Sequence, residues 1–165
     1  MISVIGAGGH GQVVADILEL SGEIYRFYDD SLPQYPPIEA ATGKIIIAIG
    51  NNSVRKLYFK RTNAVNAIHP SAIIASTVKI GKGVVICAGV IINAYSEIGD
   101  NVILNTGCSI DHHNVIGKHA HIAPNATLCG AVTVGEGTLV GANATIVPGR
   151  TVPSWSLVKA GSLYK

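Results

Sequence analysis

The sequence is short of charged and aromatic residues, and these shortages limit what the protein can be. Only 13% of its 165 residues are charged and only 5% are aromatic, while 48% are hydrophobic. Its core must therefore be built from Ile, Val, Leu and Ala rather than from large rings. The formal net charge of +2 is too small to predict a nucleic-acid or membrane-surface partner.

Long apolar runs and paired cysteines are also missing. No run approaches the ~20 apolar residues of a membrane-spanning helix, so we expect no membrane association. The opening residues, MISVIGAGGHG, lack the basic and apolar regions of a signal peptide, which favours a cytoplasmic location. Cys87, Cys108 and Cys129 form no CxxC pair, and we expect them to be small hydrophobic residues of the interior.

A six-residue repeat dominates the second part of the chain. Its fifth position is mostly small or β-branched, with Asn114 and Arg150 as exceptions, and its second position is often Gly, Asn or Asp. A period of six is typical of short strands joined by turns, with the first residue inward and the second accepting the turn. Three hexads complete a triangular coil, so residues 18 apart stack one strand spacing apart. The first positions are Ile68, Ile74, Ile80, Ile86, Ile92, Ile98, Leu104, Ile110, Ile116, Ile122, Leu128, Val134, Val140, Ile146, Val152 and Val158.

The residues before the repeat follow a different pattern. ISVIG, EIYRFYDD and KIIIAIG predict three strands, with the loop LPQYPP after the second. GQVVADILELSG predicts an amphipathic helix ending at Gly22, and NNSVRKLYFKRT predicts a second helix capped by an Asn. The sequence therefore predicts a small parallel α/β domain over residues 1–67 and a solenoid domain over residues 68–165.

The segment GAGGHG, residues 6–11, follows the first strand and opens the first helix. Its glycines permit a tight turn and a close approach of phosphate to the helix N-terminus, although such a segment can also be a turn alone. Asp29 or Asp30, at the end of the second strand, is placed to bind a ribose or base edge, and Gly50, Asn51 and Asn52 follow the third strand at the same edge. The domain is too short for a full dinucleotide fold, so we expect a nucleotide-linked substrate rather than NAD.

The segment SIDHHNVIGKHAH carries four of the six histidines. None of His112, His113, His119 and His121 falls at an inward first or fifth position, so we expect all four on the outer wall. We expect functional roles for His112 and His121, while a solvated surface position is the alternative for His113 and His119. Gamma-class carbonic anhydrases, which have a related solenoid, bind zinc through two histidines five residues apart and a third two coils earlier. This sequence lacks that spacing, so we expect no metal.

Six segments, taken in order, give the sequence a close resemblance to one family. They are GAGGHG, DD, AIGNN, ILNTGCSIDHH, VIGKHAHIAPNATLCGAVTVGEG and VGANATIVPG. It resembles the hexapeptide-repeat sugar acetyltransferases, which include UDP-4-amino-sugar N-acetyltransferases of bacillosamine-type pathways and sialic acid O-acetyltransferases. The resemblance implies a homotrimer of left-handed parallel β-helices, with acetyl-CoA as co-substrate in the groove between neighbouring solenoids. It also implies that the N-terminal domain holds the nucleotide of the acceptor.

The resemblance implies roles for particular residues as well. His112 matches the general base, and Gly130, one coil further along, matches the backbone N–H donor to the thioester carbonyl. His121 matches a residue that hydrogen-bonds the cofactor. Ala142 and Ala160 match family residues whose backbone contacts the pantetheine arm of the cofactor, and Asn105 matches a residue near the acceptor. The residues that match contacts to the nucleotide sugar are Gly8, Gly9, His10, Asp29, Asp30 and Gly50.

Two departures from the family pattern affect this expectation. His113 stands where the family usually has a Glu or Asp to orient the catalytic histidine, so Asp111 or an adjacent subunit takes that role, or the base is weaker. Relatives also continue beyond the VKAGSLYK with which this sequence stops, which bears on the grip on the adenine end of CoA. We expect an acetyl-CoA-dependent N-acetyltransferase with His112, His113 and Gly130 at its catalytic centre. The alternatives are O-acetylation of a sialic acid or related sugar, and a non-catalytic solenoid that binds a sugar nucleotide.

Overall fold

The computed structural model describes residues 1–59 and 63–165. The chain begins with a parallel sheet in the order β2-β1-β3-β4. Its strands are β1 (Ile2–Ile5), β2 (Tyr25–Tyr28), β3 (Lys44–Ile47) and β4 (Asn63–Ala64), with helices α1 (Gly9–Leu20) and α2 (Asn52–Phe59) and a 3-10 turn at Ile38–Ala40. The three predicted strands and two predicted helices are confirmed. The two-residue strand β4 was not predicted because so short a segment carries no alternation, and the predicted end of the second helix at residues 60–62 lies outside the described residues.

Both helices begin at the carboxyl ends of strands. Helix α1 starts at Gly9, two residues earlier than predicted, and buries Val14, Ile17 and Leu18. It ends as predicted, with Gly22 in the left-handed conformation at φ +71°. Helix α2 has the predicted Asn cap, because Asn51 Oδ1 accepts a hydrogen bond from the Val54 N–H at 3.0 Å.

The remaining strands form a parallel solenoid of one five-stranded and two six-stranded sheets, which is just under six coils. Residues 18 apart are paired in register, as in Ser109 with Thr127, so the predicted coil is confirmed. The first and fifth positions of the central hexads are buried and form the core. The strands are β5 (Ala67–Ile68), β6 (Ile73–Ile74), β7 (Lys79–Ile80), β8 (Val85–Ile86), β9 (Ile91–Ile92), β10 (Glu97–Ile98), β11 (Ile103–Leu104), β12 (Ser109–Ile110), β13 (Val115–Ile116), β14 (His121–Ile122), β15 (Thr127–Leu128), β16 (Thr133–Val134), β17 (Leu139–Val140), β18 (Thr145–Ile146), β19 (Thr151–Val152), β20 (Leu157–Val158) and β21 (Leu163–Tyr164).

The structure corrects the prediction about which hexad position makes the turn. In each hexad, the residue at the fourth position has a positive φ from Gly83 to Gly161, including His113 at 56° and His119 at 62°. The second-position glycines have another purpose, since a Cβ on Gly117 would lie 2.6 Å from the Glu136 N of the next coil. The fourth position therefore turns the corner in the left-handed region, and the second is small because coils approach closely there.

One of the two hydrophobic clusters of the N-terminal sheet is continuous with the core of the solenoid, while Ile5, Tyr28, Ile45 and Ile47 form a separate cluster. The chain leaves the first sheet after Ala64 and enters the solenoid at Ala67, which is buried. Val14 and Leu18 of α1 belong to the same buried cluster as Ala67 and Val84 of the first coils. Among the described residues, no helix is long and apolar enough to span a membrane.

Candidate active site

A cleft of about 420 Å³ opens where β1, β2 and β3 end. Parallel strands bring their carboxyl ends to one edge, which is where ligands bind in open α/β sheets. All six residues predicted to contact a nucleotide sugar line this cleft, together with Ser31, Ile38, Val54 and Tyr58, which were not predicted. The six are Gly8, Gly9, His10, Asp29, Asp30 and Gly50.

The two aspartates at the end of β2 have different environments. Asp29 accepts hydrogen bonds from the Ala7 N–H at 2.8 Å and from the Ser31 N–H and Oγ–H at 2.8 and 2.6 Å. Burial acts to raise the pKa of Asp29, but these hydrogen bonds outweigh it and the pKa is lowered. Among the described residues, Asp30 accepts only the Ile38 N–H, at 2.8 Å through Oδ1. Asp29 therefore holds the glycine turn, while Asp30 keeps an oxygen available to a ligand.

His10 lies in the first turn of α1 with a buried Nε2 that has no partner in the described part of the chain. Burial, and then the charge of Arg55, lower the pKa of His10 to about 4, so its ring is neutral at neutral pH. A buried imidazole nitrogen without a partner is unfavourable unless a ligand completes it. Its position in the wall of the cleft fits that purpose.

His112 lies on the solenoid corner that follows β12, and its side chain is 57% exposed. Its ring covers Gly130 in the next coil, where a Cβ would lie 2.5 Å from His112 Cε1 and 2.7 Å from Nε2. Gly130 is a third-position residue, and among the described residues none accepts a hydrogen bond from its N–H. An exposed imidazole and an available backbone donor therefore lie on the same corner.

The side chains around His112 include an imidazole, His113, at the position where the family usually has a carboxylate. His112 Nδ1 lies 3.1 Å from Nδ1 of His113, whose ring packs against Tyr95 with centroids 5.1 Å apart. Asp111 Oδ2 is 3.9 Å from His112 Nε2, which is too long for a hydrogen bond, and Oδ1 is held by Asn93 Nδ2 at 3.0 Å. In the part of the chain that the structure describes, the direct partner of the His112 ring is thus a second imidazole.

Asn114 fixes the backbone of this corner from inside. It breaks the hexad rule at a fifth position but is fully buried. Its Nδ2 donates to the carbonyls of Asp111 at 2.5 Å and Cys129 at 3.1 Å, and its Oδ1 accepts the Val132 N–H at 3.1 Å. Asn114, the exception in the repeat, therefore connects the two successive coils that carry His112 and Gly130.

His121 and Asn105 lie at the junction of the solenoid with the first sheet. Asn105 Nδ2 and His121 Nε2 are 3.1 Å apart, and a backbone group of Gly50 hydrogen-bonds the His121 ring. Burial, followed by the charges of Arg55 and His10, lowers the pKa of His121 to about 4. These residues connect the cleft lining at Gly50 with the outer face of β14.

Ala142 and Ala160 lie on a different corner from His112. They stack one coil apart, and the Gly161 N–H donates to the Ala142 carbonyl at 2.8 Å. Their own N–H groups, like that of Gly130, have no acceptor among the described residues. The structure thus brings together the six cleft residues and, separately, His112 with Gly130. It leaves the two alanines apart from both sets within one chain.

The expectation that His119 is on the solvated outer surface is wrong. His119 is only 7% exposed, and its Nδ1 lies 2.8 Å from Asn101 Nδ2. The ring packs edge-on against Phe59 of α2, with centroids 5.5 Å apart, and burial lowers the pKa of His119. Helix α2 covers this corner, which a repeat pattern within the solenoid does not reveal.

The docking of α2 also contributes residues that the sequence did not single out. Asn52 Nδ2 donates to the Gly137 carbonyl at 2.9 Å, and Lys56 Nζ pairs with Glu136 at 2.6 Å. Arg55, on the same helix, is fully buried and donates hydrogen bonds both to the solenoid and to Gly50 of the cleft lining. The spacing of Asn52, Arg55 and Phe59, at i, i+3 and i+7, marks one helix face and is the signal that could have identified it.

No group of three His, Cys, Asp or Glu side chains within residues 1–59 and 63–165 has an arrangement suited to a metal ion. The four-histidine segment spreads its rings over different corners and faces of the coil.

Known proteins match both parts of the chain. The family model of the PglD N-terminal domain matches residues 1–62, and that of the bacterial transferase hexapeptide (six repeats) matches residues 115–148. UDP-N-acetylbacillosamine N-acetyltransferase of Bacillus subtilis (strain 168) is 36% identical over 110 residues. That match covers 53% of this chain and 51% of the relative, so it spans about half the length of that protein.

Two solved structures are similar over nearly the whole chain. A histidine-to-asparagine mutant of perosamine N-acetyltransferase from Caulobacter crescentus, in complex with CoA and GDP-perosamine, is 34% identical with a TM-score of 0.93. It covers 99% of this chain and 88% of its own. The acetyltransferase domain of PglB from Neisseria gonorrhoeae FA1090 is 31% identical with a TM-score of 0.93, covering 99% and 90%. With this identity and coverage, the chain belongs to the hexapeptide-repeat sugar acetyltransferase family.

Proposed function

We propose that the protein transfers the acetyl group of acetyl-CoA to the amino group of a nucleotide-linked amino sugar. The observation that carries the proposal is the pairing, in one chain, of a nucleotide-sized cleft with a solenoid corner where exposed His112 covers Gly130. Relatives crystallised with CoA and GDP-perosamine, or with acetyl coenzyme A, support the same pair of substrates.

The chemical step is a direct transfer without an acyl-enzyme. The amine nitrogen attacks the thioester carbonyl carbon, the C–N bond forms, and the C–S bond breaks as CoA leaves as a thiolate, which takes up the proton that His112 has removed from the amine. His112 takes the proton from the amine, and the Gly130 N–H donates to the carbonyl oxygen as negative charge develops on it. Holding both substrates against one corner supplies most of the remaining advantage.

His113 orients the base in this proposal. When His112 Nδ1–H donates to Nδ1 of His113, the lone pair of His112 is left on Nε2, where it can accept the amine proton. Asp111, 3.9 Å from Nε2, stabilises the imidazolium that then forms. An imidazole and a nearby carboxylate together replace the single carboxylate that the family resemblance leads one to expect.

The substrates are divided between the two parts of the chain. Gly8, Gly9 and His10 bind the phosphates at the start of α1, and Asp30 binds the ribose or base while Asp29 holds the turn. Gly50 and Asn105 lie at the junction, near the acceptor sugar. On the cofactor side, the N–H groups of Ala142 and Ala160 bind the pantetheine arm of acetyl-CoA. His121 hydrogen-bonds the cofactor in exchange for its contact with Asn105.

The distance between corners within one chain leads to a proposal about assembly. Three chains form a homotrimer, so that the His112 corner of one solenoid and the Ala142 corner of another face the same groove. The trimer works in the cytoplasm. Light scattering should give three times the chain mass of 17.1 kDa. A monomer at working concentrations would remove the groove and contradict the mechanism.

The activity test uses acetyl-CoA with UDP-, GDP-, dTDP- and CMP-linked amino sugars, with free thiol and product mass as readouts. His112→Ala should lower kcat/KM by about 10²–10⁴-fold, with little change in melting temperature because the side chain is exposed. His69→Ala, a histidine of the first coil, is the matched control and should retain activity. Products acetylated on a hydroxyl rather than on the amine would favour the O-acetyltransferase. Nucleotide binding without thiol release would identify a non-catalytic solenoid.

A further inference from the structure

Arg55 carries a charge inside the protein without a charged partner. Its side chain is fully buried in α2, and none of the carboxylates in the described parts of the chain forms an ion pair with it. Burial lowers the pKa of Arg55 to about 10, so it remains a cation at neutral pH. Buried charges are normally paired because removing them from water is costly.

The guanidinium is fully hydrogen-bonded, but only to neutral carbonyls. Nε donates to Asn101 at 3.0 Å, and Nη2 donates to His119 and Ala120 at 2.7 and 3.2 Å, all in the solenoid. Nη1 donates to Ile49 and Gly50, both at 3.1 Å, at the end of β3. These bonds satisfy the donors but leave the net positive charge uncompensated.

That charge lies directly behind the cleft. Ile49 and Gly50, whose carbonyls it binds, line the cleft, as does Val54, the residue before it. Its effect reaches the glycine turn, because it contributes to the lowered pKa of His10. Among residues 1–59 and 63–165, the lining contains Asp29 and Asp30 but no Lys or Arg. A diphosphate entering the cleft would thus meet backbone N–H groups and, from this part of the chain, no cation in contact.

We propose that Arg55 is the counter-charge for the diphosphate of the acceptor, acting from behind the peptide of Gly50 rather than by touching the ligand. The inference rests on the proposed function, since it takes the cleft to hold a nucleoside diphosphate. The Arg55 charge is separated from the cleft by the peptide of Gly50, and over so short a distance in a low dielectric a unit positive charge substantially stabilises a bound anion. Arg55 is a positioning residue in this role, and it also joins the cleft to the solenoid.

A purely structural role makes a different prediction from a counter-charge. If Arg55 only fastens α2 to the solenoid, removing it weakens every ligand of the cleft by a similar factor. If it supplies the charge, the loss of affinity grows with the number of phosphates. The series UDP, UMP and uridine, with GDP, GMP and guanosine beside it, therefore separates the two roles.

The test measures dissociation constants by calorimetry for wild type, Arg55→Gln and Lys79→Gln. Lys79 is exposed on the solenoid and paired with Glu97, so its substitution removes the same charge elsewhere. In Arg55→Gln we expect Kd to rise about tenfold or more for the diphosphates, less for the monophosphates, and within about twofold for the nucleosides. Lys79→Gln should bind all six like wild type. An equal loss across each series would overturn the proposal.

Arg55→Lys keeps the test decisive if the Gln variant does not fold. A buried ammonium has a readily shifted pKa, so UDP affinity in this variant should fall as pH rises from about 7 to about 9, while wild type stays flat. The charge of Arg55 acts on three imidazoles, His10, His119 and His121, and all three have a lowered pKa, about 4 for His10 and His121. All three therefore stay neutral throughout this range. A loss of the same size for uridine, which carries no phosphate, would contradict the counter-charge. Failure of wild type to bind any of the nucleotides would instead refute the proposed cleft function itself.

Discussion

The absence of a side chain at Gly130 determines where the ring of His112 can lie. Any Cβ there would come within 2.7 Å of both Cε1 and Nε2, well inside van der Waals contact. The ring occupies the space above the glycine, next to the available N–H of the same residue. The position of the proposed base and that of the proposed donor therefore depend on one another.

Gly130→Ala should disable the site without removing the backbone donor. The new methyl pushes the His112 ring off the corner, and a displacement of about 1 Å is enough to lower kcat/KM by about 10²-fold. Because the ring can rotate into solvent, the melting temperature should change little. In a His112→Ala background the same substitution should have almost no further effect on residual activity, since no ring is left to displace. Full activity in the single variant would contradict the stacked arrangement.

His10 and His121 should make stability fall on acidification. Their pKa values are about 4 in the folded protein against 6.5 for a free histidine, so the unfolded chain binds more protons between these values. Their contribution to the free energy of unfolding is complete above about pH 6.5 and is lost as pH falls toward 4. It is on the order of 2 kcal/mol per ring.

Urea unfolding at about pH 7.5 and about pH 4.5 measures this loss. His121→Gln cannot take up the proton and should reduce the difference between the two pH values, and His10→Gln should do the same. His69→Gln, which lies in the first coil away from Arg55, is the control with the wild-type difference. An unchanged difference in both site variants would show that these rings are not the source.

At the level of single residues, the sequence predicted the placements that depend on spacing and missed those that depend on docking. Gly8, Asp30 and Gly50 could be assigned to one cleft because the ends of parallel strands converge. His112 could be placed over Gly130 because coils repeat every 18 residues. The burial of His119 and Arg55 depends on α2 lying against the solenoid, and no local pattern encodes that contact.

Among the elements, the solenoid corner that carries His112 is stabilised by a residue that departs from the repeat, Asn114. Fifth positions are inward and mostly small, yet Asn114 is kept there and joins the carbonyls of Asp111 and Cys129 to the N–H of Val132. The hexad pattern identified Asn114 as an exception but not its partners, which lie in the next coil. The same pattern predicted the strands and coils almost completely, because buried branched residues at fixed spacing admit little else.

Asn114→Val should restore the repeat and nevertheless harm the protein. Valine fits the fifth position but leaves the Val132 N–H and the Cys129 carbonyl without a partner, while the Asp111 carbonyl keeps its bond from Ser96 Oγ. We therefore expect a loss of about 2 kcal/mol in the free energy of unfolding. The corner that carries His112 should also loosen, which lowers kcat more than it raises KM for acetyl-CoA. Denaturant unfolding and steady-state kinetics measure the two effects. A more stable, fully active variant would show that the hydrogen bonds contribute nothing.

For the whole molecule, the shared core argues against two independent domains. Residues of α1 and β1 belong to the same buried cluster as those of the solenoid, and Arg55 bonds to both parts. The first part supplies a cleft and the second a corner, and neither buries its facing surface without the other. A composition poor in aromatic residues is sufficient here because stacked coils bury branched aliphatic side chains continuously along the solenoid.

Thermal unfolding should therefore follow one cooperative transition. The helices of the described residues, α1 and α2, lie in the first part, so far-ultraviolet circular dichroism near 222 nm follows that part. The single tryptophan, Trp155, lies in the solenoid under Lys56 of α2, so its fluorescence follows the other. We expect the two midpoints to coincide and, because ligand binding stabilises the folded state as a unit, to rise together when UDP or GDP is bound. Two separated midpoints, with only the helical signal shifted by nucleotide, would mean that the cleft and the solenoid fold independently.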